Sequence, residues 1–217
     1  MTLHQDLTKG AVDGVAVTAT PRGLSTVQTP GCAAAIWERA PLESFQSWID
    51  ARALEELPRG RLILQPHAVR AAMHDMADLH GMPSCDERTM FVDDVAALSQ
   101  IFATLMDAPY LRLRLGVVTG NACRKFHLDS LTARLICTYR GTGTQYALAQ
   151  EDGEPTEVFT APTGSPIIMR GTLWPTGLPR DVLHRSPPIE GSGEARLVLV
   201  LDPIQDLEAA QREEALH

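Results

Sequence analysis

The 217-residue chain carries 19 Lys and Arg against 27 Asp and Glu, a formal net charge of −8, with 44% hydrophobic and 21% charged residues. That balance fits one domain with a sizeable core and excludes a chain disordered throughout. Its basic residues are scattered and outnumbered, which argues against generic nucleic-acid binding, and no apolar run approaches the roughly 18 residues of a membrane-spanning helix.

Residues 1–30 are rich in Thr, Ala, Gly, Val and Pro without sustained periodicity, so a flexible arm without chemistry is expected there. The opening MTLHQDLTKG has no charged-then-apolar signal pattern, and a cytoplasmic address is expected. From residue 31 to 217 the chain reads as a single domain. Its first portion, 31–108, is expected to be helical. Pro41 stands at a natural helix start, and Leu42, Phe45 and Ile49 follow at the helical period. A second helix is expected over about 66–80, with Val69, Met73, Met76 and Leu79 on one side. A third begins near Ser84, where Ser84-Cys85-Asp86-Glu87 fits a capping box, and runs on through Val92, Val95, Phe102 and Leu105.

At Pro109 the period changes to two. Leu111, Leu113, Leu115 and Val117 alternate with Arg112, Arg114, Gly116 and Val118, as in a half-buried strand. Strand-like runs follow at 123–128, 133–140, 144–149, 155–160, 166–170, 181–185 and 195–202, parted by turns such as Gly141-Thr142-Gly143 and Gly191-Ser192-Gly193. This succession over 109–202 implies a jelly roll or sandwich with helices packed outside one sheet, an α+β arrangement. Residues 203–217 read as a short exposed helix or tail.

Chemistry concentrates at three places: His127-Leu128-Asp129, His184 and Arg196. In an extended strand, residues two apart project to one face about 7 Å apart at the Cα, so His127 and Asp129 can turn their tips towards one ion. His184 lies on a later strand that a jelly roll can bring alongside. Two imidazoles and one carboxylate leave several coordination positions open, an arrangement suited to non-haem Fe(II) and O2. Arg196 alternates with Leu197, Leu199 and Leu201 and so faces with Val198 and Val200, where burial would call for an anionic partner. His4-Gln5-Asp6 has the same spacing as His127 and Asp129 but lacks the strand context.

The run from His127 to Arg196 resembles the 2-oxoglutarate- and Fe(II)-dependent dioxygenases, whose double-stranded β-helix, a cupin-like jelly roll, carries H-x-D, a distal His and then Arg or Lys on the next strand. The stretch from CRKFHLDSLTARLICTYRGTGTQY to HRSPPI and RLVLVLD also resembles a bacterial family known as domain of unknown function 1826. The dioxygenase resemblance implies that His127, Asp129 and His184 hold iron, that Arg196 binds the distal carboxylate of 2-oxoglutarate and that Tyr139 adds a hydroxyl to that carboxylate. It covers about residues 110–202 and implies an oxygenase whose small-molecule or protein substrate the sequence leaves unnamed. Trp174, Arg170 and Arg185 lie near the expected mouth and are more simply read as structural or solvated residues.

A divalent-metal-binding protein without turnover, holding zinc or iron and linked to metal homeostasis, is the alternative, because the same donor set accepts several cations. The four cysteines, Cys32, Cys85, Cys123 and Cys137, contain no C-x-x-C pair and read as reduced, mostly buried thiols. In a regular strand Cys123 and His127 stand about 13 Å apart, too far to share zinc. His74 and His80 fall on different faces of their helix and make a poor ligand pair.

Overall fold

The computed structural model describes residues 12–150, 153–176 and 181–214. Helices, a large sheet and a small sheet are stacked in that order. The large sheet contains β1 (Val15–Thr18), β2 (Ala34–Trp37), β3 (Gly60–Leu64), β4 (Tyr110–Val118), β5 (Ala133–Arg140), β8 (Ile167–Arg170) and β10 (Arg196–Ile204). Their order across the sheet is β1-β2-β8-β5-β10-β4-β3, antiparallel throughout except for the parallel β1–β2 edge. The small sheet has the order β7-β6-β9, formed by β6 (Gln145–Leu148), β7 (Phe159–Thr160) and β9 (Val182–Arg185). The expected runs over 133–140, 144–149, 166–170, 181–185 and 195–202 correspond closely to β5, β6, β8, β9 and β10.

Strand alternation divides the interior into two cores. Leu111, Leu113 and Leu115 of β4, Leu135, Cys137 and Tyr139 of β5, and Leu197, Leu199 and Leu201 of β10 face the helices. There they meet α1 (Glu43–Asp50), α2 (Val69–Leu79) and α3 (Asp86–Met106) through residues such as Phe45, Met73, Phe91, Val95 and Phe102. The opposite face places Ile136, Ile167, Met169 and Val198 against Tyr146 and Val182 of the small sheet. A cavity opens at the end of this second core.

Several expectations change here. The capping box at Ser84 does not form: Cys85 is the N-cap of α3 and makes no side-chain cap bond. Asp86 and Glu87 instead place negative charge in the first turn, where the helix dipole favours it. The 123–128 run is irregular, with an isolated backbone bridge at His127 and a further hydrogen bond to the Cys123 carbonyl. The first half also supplies three strands, β1, β2 and β3, to the sheet. Among the described residues, the expected loose arm is anchored from residue 12 onwards. Its β1 pairs with β2, and the 3-10 turn Pro21–Gln28 buries Leu24 and Val27, whose spacing of three matches the 3-10 repeat. Residues 1–11, with His4-Gln5-Asp6, lie outside the described residues.

Helix α3 is 21 residues long and by length and composition could cross a membrane, with a mean hydropathy of 1.3 over its most apolar window. Here its apolar side is packed on β4 and β10. After β10, the chain ends the described region in α4 (Leu207–Glu214), whose Glu214 carboxylate accepts from both Arg61 and Arg112.

Candidate metal centre

The backbone decides the first pairing. His127 and His184 face each other across an antiparallel bridge and exchange both amide hydrogen bonds, at 3.1 and 3.0 Å. Directly opposite residues in such a pair project to the same side, which brings the imidazoles together with ring centroids 4.4 Å apart. The Ser186 amide donates to the Cys123 carbonyl at 3.0 Å and continues the pairing outwards.

Asp129 is fixed from two directions. Its backbone carbonyl accepts from the Thr172 amide at 2.9 Å, within a turn where Gly171 and Leu173 also donate to Thr132 and Leu131. The approach at Gly171 is so close that a Cβ there would lie 2.1 Å from the Leu131 carbonyl oxygen and 2.7 Å from that of Asp129. On the side-chain side, Arg134 reaches Asp129 Oδ1 at 2.6 Å and also grips Asp202 with Nε and Nη2 at 2.6 and 2.9 Å. One guanidinium therefore spans two carboxylates.

The three expected ligands converge. Asp129 Oδ1 is 3.6 Å from His127 Nε2, Oδ2 is 3.3 Å from His184 Nε2, and one donor atom from each residue lies within 4.8 Å of the others. Two ligands bound at about 2.1 Å and a right angle stand about 3 Å apart, so small side-chain adjustments suffice to share one ion. The donor states also fit. His127 Nδ1 is 3.0 Å from the Lys125 carbonyl oxygen, so it carries the proton and leaves the Nε2 lone pair free. Burial pushes the His184 pKa down to about 4, against the opposing pull of Asp129, so this ring is neutral at neutral pH. Asp129 Oδ2 is buried with no hydrogen-bond partner among the described residues, a costly state that a cation would relieve. Among the described residues Cys123 is not part of this group and is exposed.

Next to the ligands lies a cavity of about 250 Å3 bounded by β4, β5 and β10, with Arg196 at its wall. Arg196 is 1% exposed and faces the cavity with Val198 and Val200. Its Nε donates to the Thr142 carbonyl at 2.5 Å and its Nη2 lies 3.3 Å from the Thr138 hydroxyl. Burial lowers its pKa to about 10, still cationic at neutral pH, and it takes part in no ion pair among the described residues. A buried, unpaired guanidinium of this kind is arranged to receive an anion.

Tyr139 requires a correction. On β5 it alternates with Thr138 and so points to the helix layer, where its hydroxyl donates to Asp94 Oδ2 at 2.7 Å and its ring meets Phe91 edge-on at 4.8 Å. Burial and the Asp94 charge raise its pKa well above 10. The hydroxyls near Arg196 are those of Thr138 and Thr144. Arg170 is also on the helix side: it donates to the Val27 and Thr29 carbonyls and stacks on Trp174 at 4.4 Å. Arg185 alternates away from His184 and is held by the Gln145 side chain and the Phe126 ring. Sequence reasoning missed Arg114, Arg134 and Asp202, although their strand phase, the same as that of Arg196, contained the signal.

The family model described as "Protein of unknown function (DUF1826)" matches residues 18–202. The chain belongs to the DUF1826 family. No curated protein matches the sequence. Among solved structures, this DUF1826 protein is similar to the rice dioxygenase for auxin oxidation, at 15% identity and a TM-score of 0.51, over 91% of this chain and 84% of that one. Weaker likenesses are to AtDAO1, the Arabidopsis thaliana dioxygenase for auxin oxidation in a 2-oxoglutarate binary complex (17% identity, TM-score 0.46, 78% and 67% covered), and to a Pseudomonas putida prolyl-4-hydroxylase (14%, 0.45, 86% and 98%). At such identities the rice structure speaks for the fold alone: a mixed α/β chain with a large antiparallel sheet.

Proposed function

We propose that this DUF1826 protein is a non-haem Fe(II)- and 2-oxoglutarate-dependent oxygenase whose two sheets form a double-stranded β-helix. The observation that carries this reading is the pairing of the His127, Asp129 and His184 cluster with an unpaired, buried Arg196 on the same cavity. His127, Asp129 and His184 hold the metal, and Arg196 holds the far carboxylate of the co-substrate. When bound, ferrous iron and 2-oxoglutarate supply the oxidising chemistry, in which O2 oxidises a substrate while 2-oxoglutarate becomes succinate and CO2.

The chain's own residues set the geometry. Arg134 occupies Asp129 Oδ1 and leaves Oδ2 towards the cation, so the carboxylate is directed to bind through one oxygen. Lys125 fixes the His127 tautomer, and the bridge to His184 fixes the spacing of the two rings. Ile136, Val198 and Val200 line the cavity and keep its floor apolar.

A metal-binding protein without turnover is the second reading, favoured by the donor set itself, which binds several divalent ions. Arg196 separates the two, because a metal store has no use for a buried guanidinium beside its ligands. Fe(II)- and O2-dependent conversion of 2-oxoglutarate to succinate, abolished by His127→Ala and by Asp129→Ala, supports the oxygenase. Stoichiometric metal binding with no succinate under any substrate screen supports the second reading.

A further inference from the structure

Resting on the oxygenase reading, we infer that the substrate carries an anionic oxygen group, a carboxylate or phosphoryl, received by Arg114 while its body lies over Gly116. Both residues line the same cavity as His127 and His184. Strand phase places them on one face of β4, with Val200 opposite Arg114 and Val198 opposite Gly116 on β10.

Arg114 is under-coordinated. Its one acceptor among the described residues is Asp202 Oδ2, 3.2 Å from Nη2, and that carboxylate is already gripped by both arms of Arg134. Its Nε is buried without an acceptor among the described residues, while its side chain is 36% exposed and lines the cavity. A guanidinium is a planar fork suited to two oxygens of one anion. Charge balance points the same way. Arg114, Arg134, Arg185 and Arg196 line the cavity, Asp129 and Asp202 stand beside it as partners of Arg114 and Arg134, and a divalent ion with a dianionic co-substrate adds no net charge. Net positive charge remains for an anionic substrate to neutralise.

Gly116 supplies the room. Its φ lies outside the left-handed region, so the backbone does not demand glycine, and a Cβ built there meets nothing within 4 Å. Glycine inside a strand weakens it and often marks a place where a ligand approaches closely. Neither conformation nor packing accounts for this one.

The test is calorimetric titration of the full chain, loaded with Mn(II) and saturated with 2-oxoglutarate so that Arg196 is engaged, using butyrate, butyl phosphate and neutral butyramide as probes. Butyrate or butyl phosphate is expected to bind and butyramide not to, and the tighter of the two anions assigns carboxylate or phosphoryl. Arg114→Met should weaken that anion at least about ten-fold, in line with loss of a charged hydrogen bond, and Arg114→Lys should weaken it less. Gly116→Val should fold normally, because its side chain enters open space, and should also lose the probe. Arg134 still holds Asp129 in these variants, so Mn(II) binding should persist. Equal binding of butyramide, unchanged anion binding in both Arg114→Met and Gly116→Val, or no anion binding at millimolar concentration would overturn the inference. Failure of the wild-type chain to bind Mn(II) or 2-oxoglutarate would instead overturn the oxygenase reading, and this inference with it.

Discussion

Asp129 is the most constrained side chain of the centre, and its constraints make it testable. Gly171→Ala would drive a methyl group into the Leu131 and Asp129 carbonyls. The expected cost is about 1–3 kcal/mol of stability, as for other overpacked sites, together with weaker Mn(II) binding, measured by denaturant unfolding and metal titration. His184 gives a pH dependence. Its pKa is about 4 in the folded chain, below the ordinary histidine value. Between about pH 6.5 and 4 the unfolded chain therefore binds a proton that the folded chain refuses, and stability rises with pH across this window, by at most about 1.4 kcal/mol per pH unit. Metal-free protein should accordingly lose stability as pH falls from 6.5 to 4, and His184→Gln should flatten the slope. A slope unchanged by the substitution would contradict the burial argument. The phase of Arg196 against its leucines was readable from the sequence because strand alternation is local. His127 and Asp129, expected on an extended strand, instead lie in an irregular segment where the turn to Thr172 and the Arg134 guanidinium place the carboxylate. Tyr139 was misassigned because the same alternation, applied one residue along from Thr138, turns it to the helices. Tyr139→Phe should cost about 1–2 kcal/mol by removing its hydrogen bond to Asp94, which Arg39 still holds through both oxygens, and leave 2-oxoglutarate affinity unchanged.

Elements whose periodicity is strong, namely β4, β5, β10 and the three principal helices, stood out in the sequence. Those held by distant partners did not. The 3-10 turn at Pro21–Gln28 offers only Leu24 and Val27 as apolar contacts, and its anchor, Arg170, lies more than 140 residues away. Arg170→Met would leave the Val27 and Thr29 carbonyls without that donor. A loss of about 1–3 kcal/mol is expected, with faster amide exchange confined to the first strands, while metal binding on the opposite face of the sheet is retained. The segment before Asp129 was read as a strand and is irregular except at His127. Its one bridge, to His184, depends on a residue far along the chain that no local pattern could indicate.

Taken together, the helices support one face of the large sheet while the cavity opens on the other, so stability and chemistry occupy opposite sides of the same strands. Ligand binding at the cavity should therefore stabilise the entire fold. A cation present at about a hundred times its dissociation constant adds about 2.7 kcal/mol, equivalent to a rise of about 5–10 °C in Tm for a chain of this size. The rise should vanish in Asp129→Ala. The decisive measurement is anaerobic calorimetric titration of 2-oxoglutarate into the protein with and without Fe(II). One equivalent is expected to bind with Fe(II) present, much more weakly without it and more weakly in Arg196→Ala. Binding indifferent to both Fe(II) and Arg196, or no binding at all, would contradict the account.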